Sequence, residues 1–165
     1  YLAFFISFVT VLIMWINHYD LFRLIQSVNR RFLFANGFLL LMVTAVNFPT
    51  KVLAEHLDQA GAKTAVALYC GAYVFVAVSY NLLLRTALPN LRPDLHHATG
   101  SPIPRIRMAY RMGVLVYSVA TVVGLFAPYI GLAICMALWP LWMLLNYEPD
   151  KSAIKASQAK KEAGK

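Results

Sequence analysis

The sequence predicts an all-α membrane protein, folded as a bundle of five transmembrane helices. Of the 165 residues, 60% are hydrophobic and only 13% are charged, whereas a soluble domain carries about 25% charged residues. Four stretches contain no Asp, Glu, Lys or Arg, namely 1–19, 32–50, 64–84 and 112–147. These apolar runs are continuous and lack the alternation of membrane β-strands. Since the backbone N–H and C=O groups must be hydrogen-bonded inside lipid, these stretches are predicted to be helices.

The length of each charge-free stretch assigns the crossings, because about 20 apolar residues span the hydrocarbon core. The first three stretches are one helix each. The fourth is too long for one helix, and Pro128 and Gly131 predict a break within it, since proline removes a backbone donor and glycine tolerates a turn. The transmembrane domain is 1–147, and residues 148–165 form a basic tail. Its predicted helices are about 1–19, 32–50, 64–84, 108–126 and 130–147.

The basic residues outside the spans predict the orientation. Connections 20–31 and 85–111 and the tail hold three, five and five Lys or Arg, 13 in all, whereas 51–63 holds two. Basic loops stay in the cytoplasm, so these two loops and the C-terminal tail are predicted to be cytoplasmic. A cytoplasmic tail after five crossings places Tyr1 on the other side of the membrane. We therefore expect one more helix upstream, giving six in the complete subunit.

Polar residues at membrane depth are costly and therefore informative. Trp15 and His18, at the end of the first helix, are three residues apart and share a face, while Asn17 points about 100° away from His18. These side chains either hold a neighbouring helix through hydrogen bonds or are ordinary interfacial residues. In the second helix Asn36 and Asn47 are eleven residues apart, about 20° out of register, and form a candidate polar face for helix packing.

Motifs for other functions are missing from the sequence. No Asp or Glu lies within a predicted span, and there is no Gly-rich phosphate loop or nucleophile elbow. Asp94, His96 and His97 are grouped in one loop without a partner motif for a metal. The positive charge follows the membrane topology, which argues against nucleic-acid binding. The sequence therefore predicts neither an enzyme nor a cofactor site, and it has no Thr-Val-Gly-Tyr-Gly potassium filter.

The segment Trp15-Ile16-Asn17-His18, followed by Asn29-Arg30-Arg31 and Asn47-Phe48-Pro49-Thr50, resembles the bacterial branch of the transmembrane protein 175 family. The resemblance implies a six-helix subunit of a homotetrameric channel in the bacterial inner membrane. Such a channel conducts potassium ions passively along a central axis without the usual filter. The resemblance also implies that Trp15, Asn17 and His18 brace a pore helix, which carries the family's Phe-Ser-Asp motif and lies upstream. Tyr19 stands where the family more commonly has a second His.

Two other classes of membrane protein stay open at this point. One is a small-molecule carrier or membrane enzyme that uses His18 and the asparagine face, with Pro140 as the candidate break within a helix. The other is a non-conducting membrane assembly subunit. Saturable exchange would indicate the carrier, and no flux through the complete protein would indicate the assembly subunit.

Overall fold

The computed structural model describes residues 2–96, 101–145, 147 and 148. These residues form α1 (Leu2–Arg23), α2 (Arg30–Ala45), α3 (Asn47–His56), α4 (Ala62–Ala87), α5 (Pro93–His96), α6 (Ile103–Phe126) and α7 (Pro128–Leu144). They include no strand, only an isolated bridge between Ile25 and Leu91. The predicted all-α bundle is confirmed. His97 and residues 149–165 of the basic tail lie outside the described residues.

The outer surface of the bundle is apolar. Phe34, Phe126 and Leu144 are 69%, 76% and 81% exposed, and a soluble monomer rarely presents apolar patches of this extent to water. α1 has 22 residues, or about 33 Å at 1.5 Å per residue. The chain is therefore an integral membrane protein. By length and composition, three other described segments can cross a membrane, and a fourth is a shorter apolar helix: Arg30–His56, Ala62–Asn90, Ile103–Phe126 and Pro128–Leu144.

α4 is the central helix of the bundle. It packs against α2, α3, α6 and α7, and a broad face of it is buried, including Val66, Tyr69 and Leu83. Its opposite face is open, with Phe75 and Leu82 60% and 41% exposed. The core therefore lies along the buried face of α4, against which these four helices pack.

Pro49 divides the second predicted helix. The sequence predicted one helix over 32–50, whereas α2 ends at Ala45 and α3 begins at Asn47. Proline has no N–H to donate to the carbonyl four residues earlier, which is that of Ala45, and its ring crowds that carbonyl. The regular helical hydrogen bonding is therefore interrupted at Val46, whose backbone stays helical, and α3 continues to His56.

The other helices end at different residues from those predicted. α1 continues to Arg23, and α6 begins at Ile103 rather than near 108. A charge-free stretch marks the hydrocarbon crossing, and helices extend past it into the interface, where Arg23 Nη1 and Asp20 Oδ1 lie 3.9 Å apart. α7 begins at Pro128 rather than at 130, because proline suits the first turn of a helix.

The connecting segments meet in pairs at the two ends of the bundle. At one end the Arg92 N–H donates to the Leu24 carbonyl at 3.0 Å, which joins the segment after α1 to the segment before α6. At the other end the Tyr129 hydroxyl, near the start of α7, donates to Asp58 Oδ1 at 3.3 Å, in the segment between α3 and α4. Helices that cross the membrane in alternating directions bring the first and third connections to one end and the second and fourth to the other, as observed here.

Candidate functional site

Asn17 is buried near the C-terminal end of α1, with only 5% of its surface exposed. Its Nδ2 donates to the Ile13 carbonyl at 2.9 Å and to the Trp142 carbonyl of α7 at 3.0 Å. Its Oδ1 accepts a hydrogen bond from the Tyr147 hydroxyl at 2.8 Å. An amide without partners would be costly inside lipid. Here both ends of the amide are bonded, and Asn17 joins α1 to α7.

The hydrogen bonds continue from Tyr147 to α6 and α4. Since Tyr147 donates its proton to Asn17, the Tyr110 hydroxyl donates to the Tyr147 oxygen across 2.8 Å. The backbone carbonyl of Tyr110 accepts from Asn81 Nδ2 of α4 at 2.9 Å. We refer to Asn17, Asn81, Tyr110 and Tyr147 as the polar network. It connects α1, α4 and α6 with the segment that follows α7.

Two further hydrogen bonds join the same helices. The Tyr80 hydroxyl of α4 donates to the Met14 carbonyl of α1 at 2.6 Å. Trp142 Nε1 of α7 donates to the Tyr117 hydroxyl of α6 at 2.9 Å. Interhelical hydrogen bonds in membrane proteins contribute about 0.6 kcal/mol each on average. Together with the polar network, they fix the relative positions of α1, α4, α6 and α7.

His18 joins α1 to α2. Its Nε2 lies 2.6 Å from Asn36 Oδ1, and because an amide oxygen only accepts, the ring nitrogen is the donor. The imidazole lies between two other rings of α1, with centroid distances of 5.7 Å to Trp15 and 4.5 Å to Phe22. His18 is thus held on three sides, by one hydrogen bond and two ring contacts.

The remaining predicted site residues lie on the surface of the chain. Trp15 is 61% exposed and contacts the His18 ring. Asn47 is exposed at the start of α3, where its Nδ2 donates to the Thr44 carbonyl at 3.2 Å. The interruption at Val46 separates Asn47 from the helix that carries Asn36. The structure therefore brings Asn17, His18 and Asn36 into helix contacts and leaves Trp15 and Asn47 outside them.

Sequence reasoning missed the tyrosines of this site. Tyr69, Tyr73 and Tyr80 share α4, with Tyr73 four and Tyr80 eleven residues after Tyr69, and Tyr110 and Tyr117 are seven apart on α6. At 100° per residue, these spacings keep each set within about 40° of one direction. The spacing is visible in the sequence, and it marks the face of each helix that points into the protein.

The interior offers little space for a substrate. A cavity of about 40 Å³ lies between α1, α4, α6 and α7, next to Asn17 and Tyr110, whereas small-molecule pockets usually measure about 300–1,000 Å³. No group of three or more His, Cys, Asp or Glu residues could hold a metal ion in the part of the chain that the structure describes. The hydrogen bonds of the described residues hold the helices together.

Comparison with known proteins identifies the family. Residues 1–47 match the family model described as endosomal/lysosomal potassium channel TMEM175. A potassium channel of Chamaesiphon minutus is 34% identical over 138 residues, which are 84% of this chain and 68% of that protein. The chain belongs to the TMEM175 family. The resemblance seen in the sequence is confirmed.

Two further relatives of the chain are also named potassium channels. That of Streptomyces collinus is 36% identical over 84 residues, which are 50% of this chain and 41% of the relative. That of a Chryseobacterium species is 24% identical over 153 residues, 92% of this chain and 76% of the relative. No solved structure matches the chain. The match to the TMEM175 model covers α1 and α2, the helices that His18 and Asn36 join.

Proposed function

We propose that the chain belongs to a subunit of a homotetrameric, potassium-permeable channel in a bacterial inner membrane. The observation that carries this proposal is the 34% identity, over 138 residues, to a protein named a potassium channel. In the proposed channel, potassium ions cross passively along a central axis, without the usual carbonyl filter. The basic loops and the C-terminal tail are cytoplasmic, in line with the excess of Lys and Arg in those segments.

In this channel the described helices form the scaffold, and the conduit is lined by a further helix of the complete subunit. The packing within the chain supports this division. Asn17, Asn81 and Tyr110 use their polar groups on backbone carbonyls and on the Tyr147 hydroxyl, and the cavity beside them is only about 40 Å³. Among the residues that the structure describes, this region therefore offers no continuous polar path for an ion. Narrow hydrophobic or polar rings at the fourfold axis would gate the pore and tune its selectivity.

Trp15, Asn17 and His18 are proposed to brace the pore helix. Asn17 holds α1 against α7, and His18 holds it against α2. Trp15 belongs to an exposed aromatic face of α1, with Phe8 57%, Trp15 61% and Tyr19 58% exposed. These three rings are seven and four residues apart and so share one side of the helix. The indole N–H of Trp15 is thus placed to donate to a helix that packs on this face.

A potassium flux assay on the complete protein in liposomes tests the proposal. We expect potassium to leave the liposomes passively, down its gradient. The efflux should need no co-substrate, and its rate should not saturate. The 165-residue chain alone, reconstituted at the same density, is the control and should insert without conducting. Saturable, substrate-dependent exchange would favour a carrier, and no flux from the complete protein would favour a non-conducting assembly subunit. Either result would overturn the proposal.

A further inference from the structure

A groove on the outer surface between α4 and α6 combines an apolar lining with two arginines. Its volume is about 380 Å³. The groove is lined from α4 and α6 by Val78, Asn81, Leu82, Arg85, Arg111 and Val114. Val78 and Leu82 are one turn apart on α4, and Arg85 follows near the end of that helix. The groove therefore changes from apolar to strongly basic along its length.

A hydrogen bond between α4 and α6 brings the backbone positions of the two arginines to the same end of the groove. Asn81 Nδ2 donates to the Tyr110 carbonyl at 2.9 Å and to the Ala77 carbonyl at 2.9 Å. Arg85 lies one helical turn after Asn81, and Arg111 is the residue after Tyr110. The bond thus places one arginine of α4 and one of α6 at the same end of the groove.

In the part of the chain that the structure describes, no carboxylate neutralises the charge of this pair. Both arginines are exposed, and neither forms an ion pair with a carboxylate of the residues that the structure describes. A guanidinium group matches phosphate with paired N–H donors, and its long stem can reach the headgroup level from within a span. Basic pockets between transmembrane helices bind anionic lipid headgroups. Two arginines beside an apolar groove fit a ligand with a phosphate and a hydrocarbon chain.

We propose that this groove binds an anionic phospholipid. The lipid phosphate lies between Arg85 and Arg111, and one acyl chain lies along Val78, Leu82 and Val114. The bound lipid bridges α4 and α6 at the end where Asn81 joins them. The test of this site does not depend on the proposed channel function, because it measures lipid retention rather than current.

Native mass spectrometry of the complete channel tests the site. The protein is equilibrated with equal amounts of phosphatidylglycerol and phosphatidylcholine in neutral detergent, and the retained lipids are counted. We expect wild type to prefer phosphatidylglycerol, and Arg111→Gln to reduce the preference about fivefold. Arg85→Gln/Arg111→Gln should reduce it about 25-fold. The matched control is Arg31→Gln/Arg107→Gln, which removes the same charge from exposed positions outside the groove lining and should retain the wild-type preference.

A second variant tests the acyl chain. Val78→Trp fills the apolar part of the groove and keeps both arginines, so retention of phosphatidylglycerol should fall while the thermal unfolding midpoint in phosphatidylcholine stays near that of wild type. The proposal is overturned if the double arginine variant keeps its preference, or if the control loses it equally. It is also overturned if Val78→Trp retains the lipid. A third variant, Val78→Cys, tests whether a second copy of the chain occupies the groove, and a crosslink between subunits at this position would overturn the proposal as well.

Discussion

Gly131 of α7 lies so close to Gly124 of α6 that a Cβ atom on Gly131 would stand 2.6 Å from the Gly124 Cα atom. The same Cβ would be 2.8 Å from the Ala120 carbonyl oxygen. Both neighbours are backbone atoms, which cannot move aside without moving a helix. The missing side chain of Gly131 therefore lets α7 pack directly on the backbone of α6 after Ala127, while a Cβ on Gly124 would instead meet Val66 of α4 at 2.9 Å.

Gly131→Ala should destabilise the protein by about 1–3 kcal/mol, because an overpacked site forces a backbone shift. The matched control is Gly37→Ala in α2, where an added Cβ would meet nothing within 4 Å. That substitution should be neutral or stabilise the helix by up to about 1 kcal/mol. Thermal unfolding midpoints in detergent check both. Equal midpoints for the two variants would contradict the close contact of α6 and α7.

Asn17→Ala should destabilise the bundle by about 1–3 kcal/mol, since it removes three hydrogen bonds and leaves the Tyr147 hydroxyl without its acceptor. Asn47→Ala is the control, because Asn47 is exposed and bonds to a carbonyl three residues earlier. Its cost should stay below about 0.5 kcal/mol. The measurement is the unfolding free energy of each variant in a denaturing detergent titration. If Asn17→Ala costs no more than Asn47→Ala, the polar network does not hold the helices.

His18 and Asn36 should show an energetic coupling of about 0.6–1.7 kcal/mol in a double-mutant cycle of His18→Ala and Asn36→Ala. The reason is the 2.6 Å contact between Nε2 and Oδ1. A cycle of His18→Ala with Asn47→Ala should be additive and serves as the control. In the complete channel, His18→Ala should also weaken the tetramer or change gating. Unchanged assembly and currents would contradict the proposed brace.

Trp142→Phe and Trp139→Phe should differ although both remove an indole N–H from α7. The Trp142 N–H donates to Tyr117, so its loss should cost about 1 kcal/mol. The Trp139 N–H is buried and has no acceptor among the described residues, so its removal should be close to neutral. Unfolding midpoints compare the two variants. A larger cost for Trp139→Phe would show that its N–H has a partner and would contradict this reading.

The approximate positions of the long helices could be predicted from the sequence, because the thickness of the hydrocarbon core sets the length of each crossing. The charge-free stretches located the helices, and Pro128 marked the break between α6 and α7, although α7 begins at Pro128 itself rather than at 130. The length rule could not find the helix ends, since Asp20 and Arg23 continue α1 beyond the hydrocarbon. Pro49 could have predicted the interruption at Val46, but the length of the charge-free stretch does not take proline into account.

The contacts between helices were harder to predict from the sequence. Lipid and the protein interior are both apolar, so hydrophobicity does not show which face of a membrane helix is buried. Ala133 and Ala137 have the small-residue spacing of close helix contacts, yet both are exposed, whereas the close contact joins Gly124 and Gly131 on different helices. Asn17 was found because its polar side chain lies at membrane depth. Its partner Tyr147 follows α7 and is 130 residues away in the sequence.

The reversal potential of the complete protein in a planar bilayer decides whether the protein is a potassium channel. With potassium on one side and an equal concentration of sodium on the other, we expect an ohmic current that reverses well toward the potassium equilibrium potential. The current should remain when no other solute is present. A protein that assembles in the bilayer and passes no current, or one whose current reverses near zero, would contradict a potassium channel.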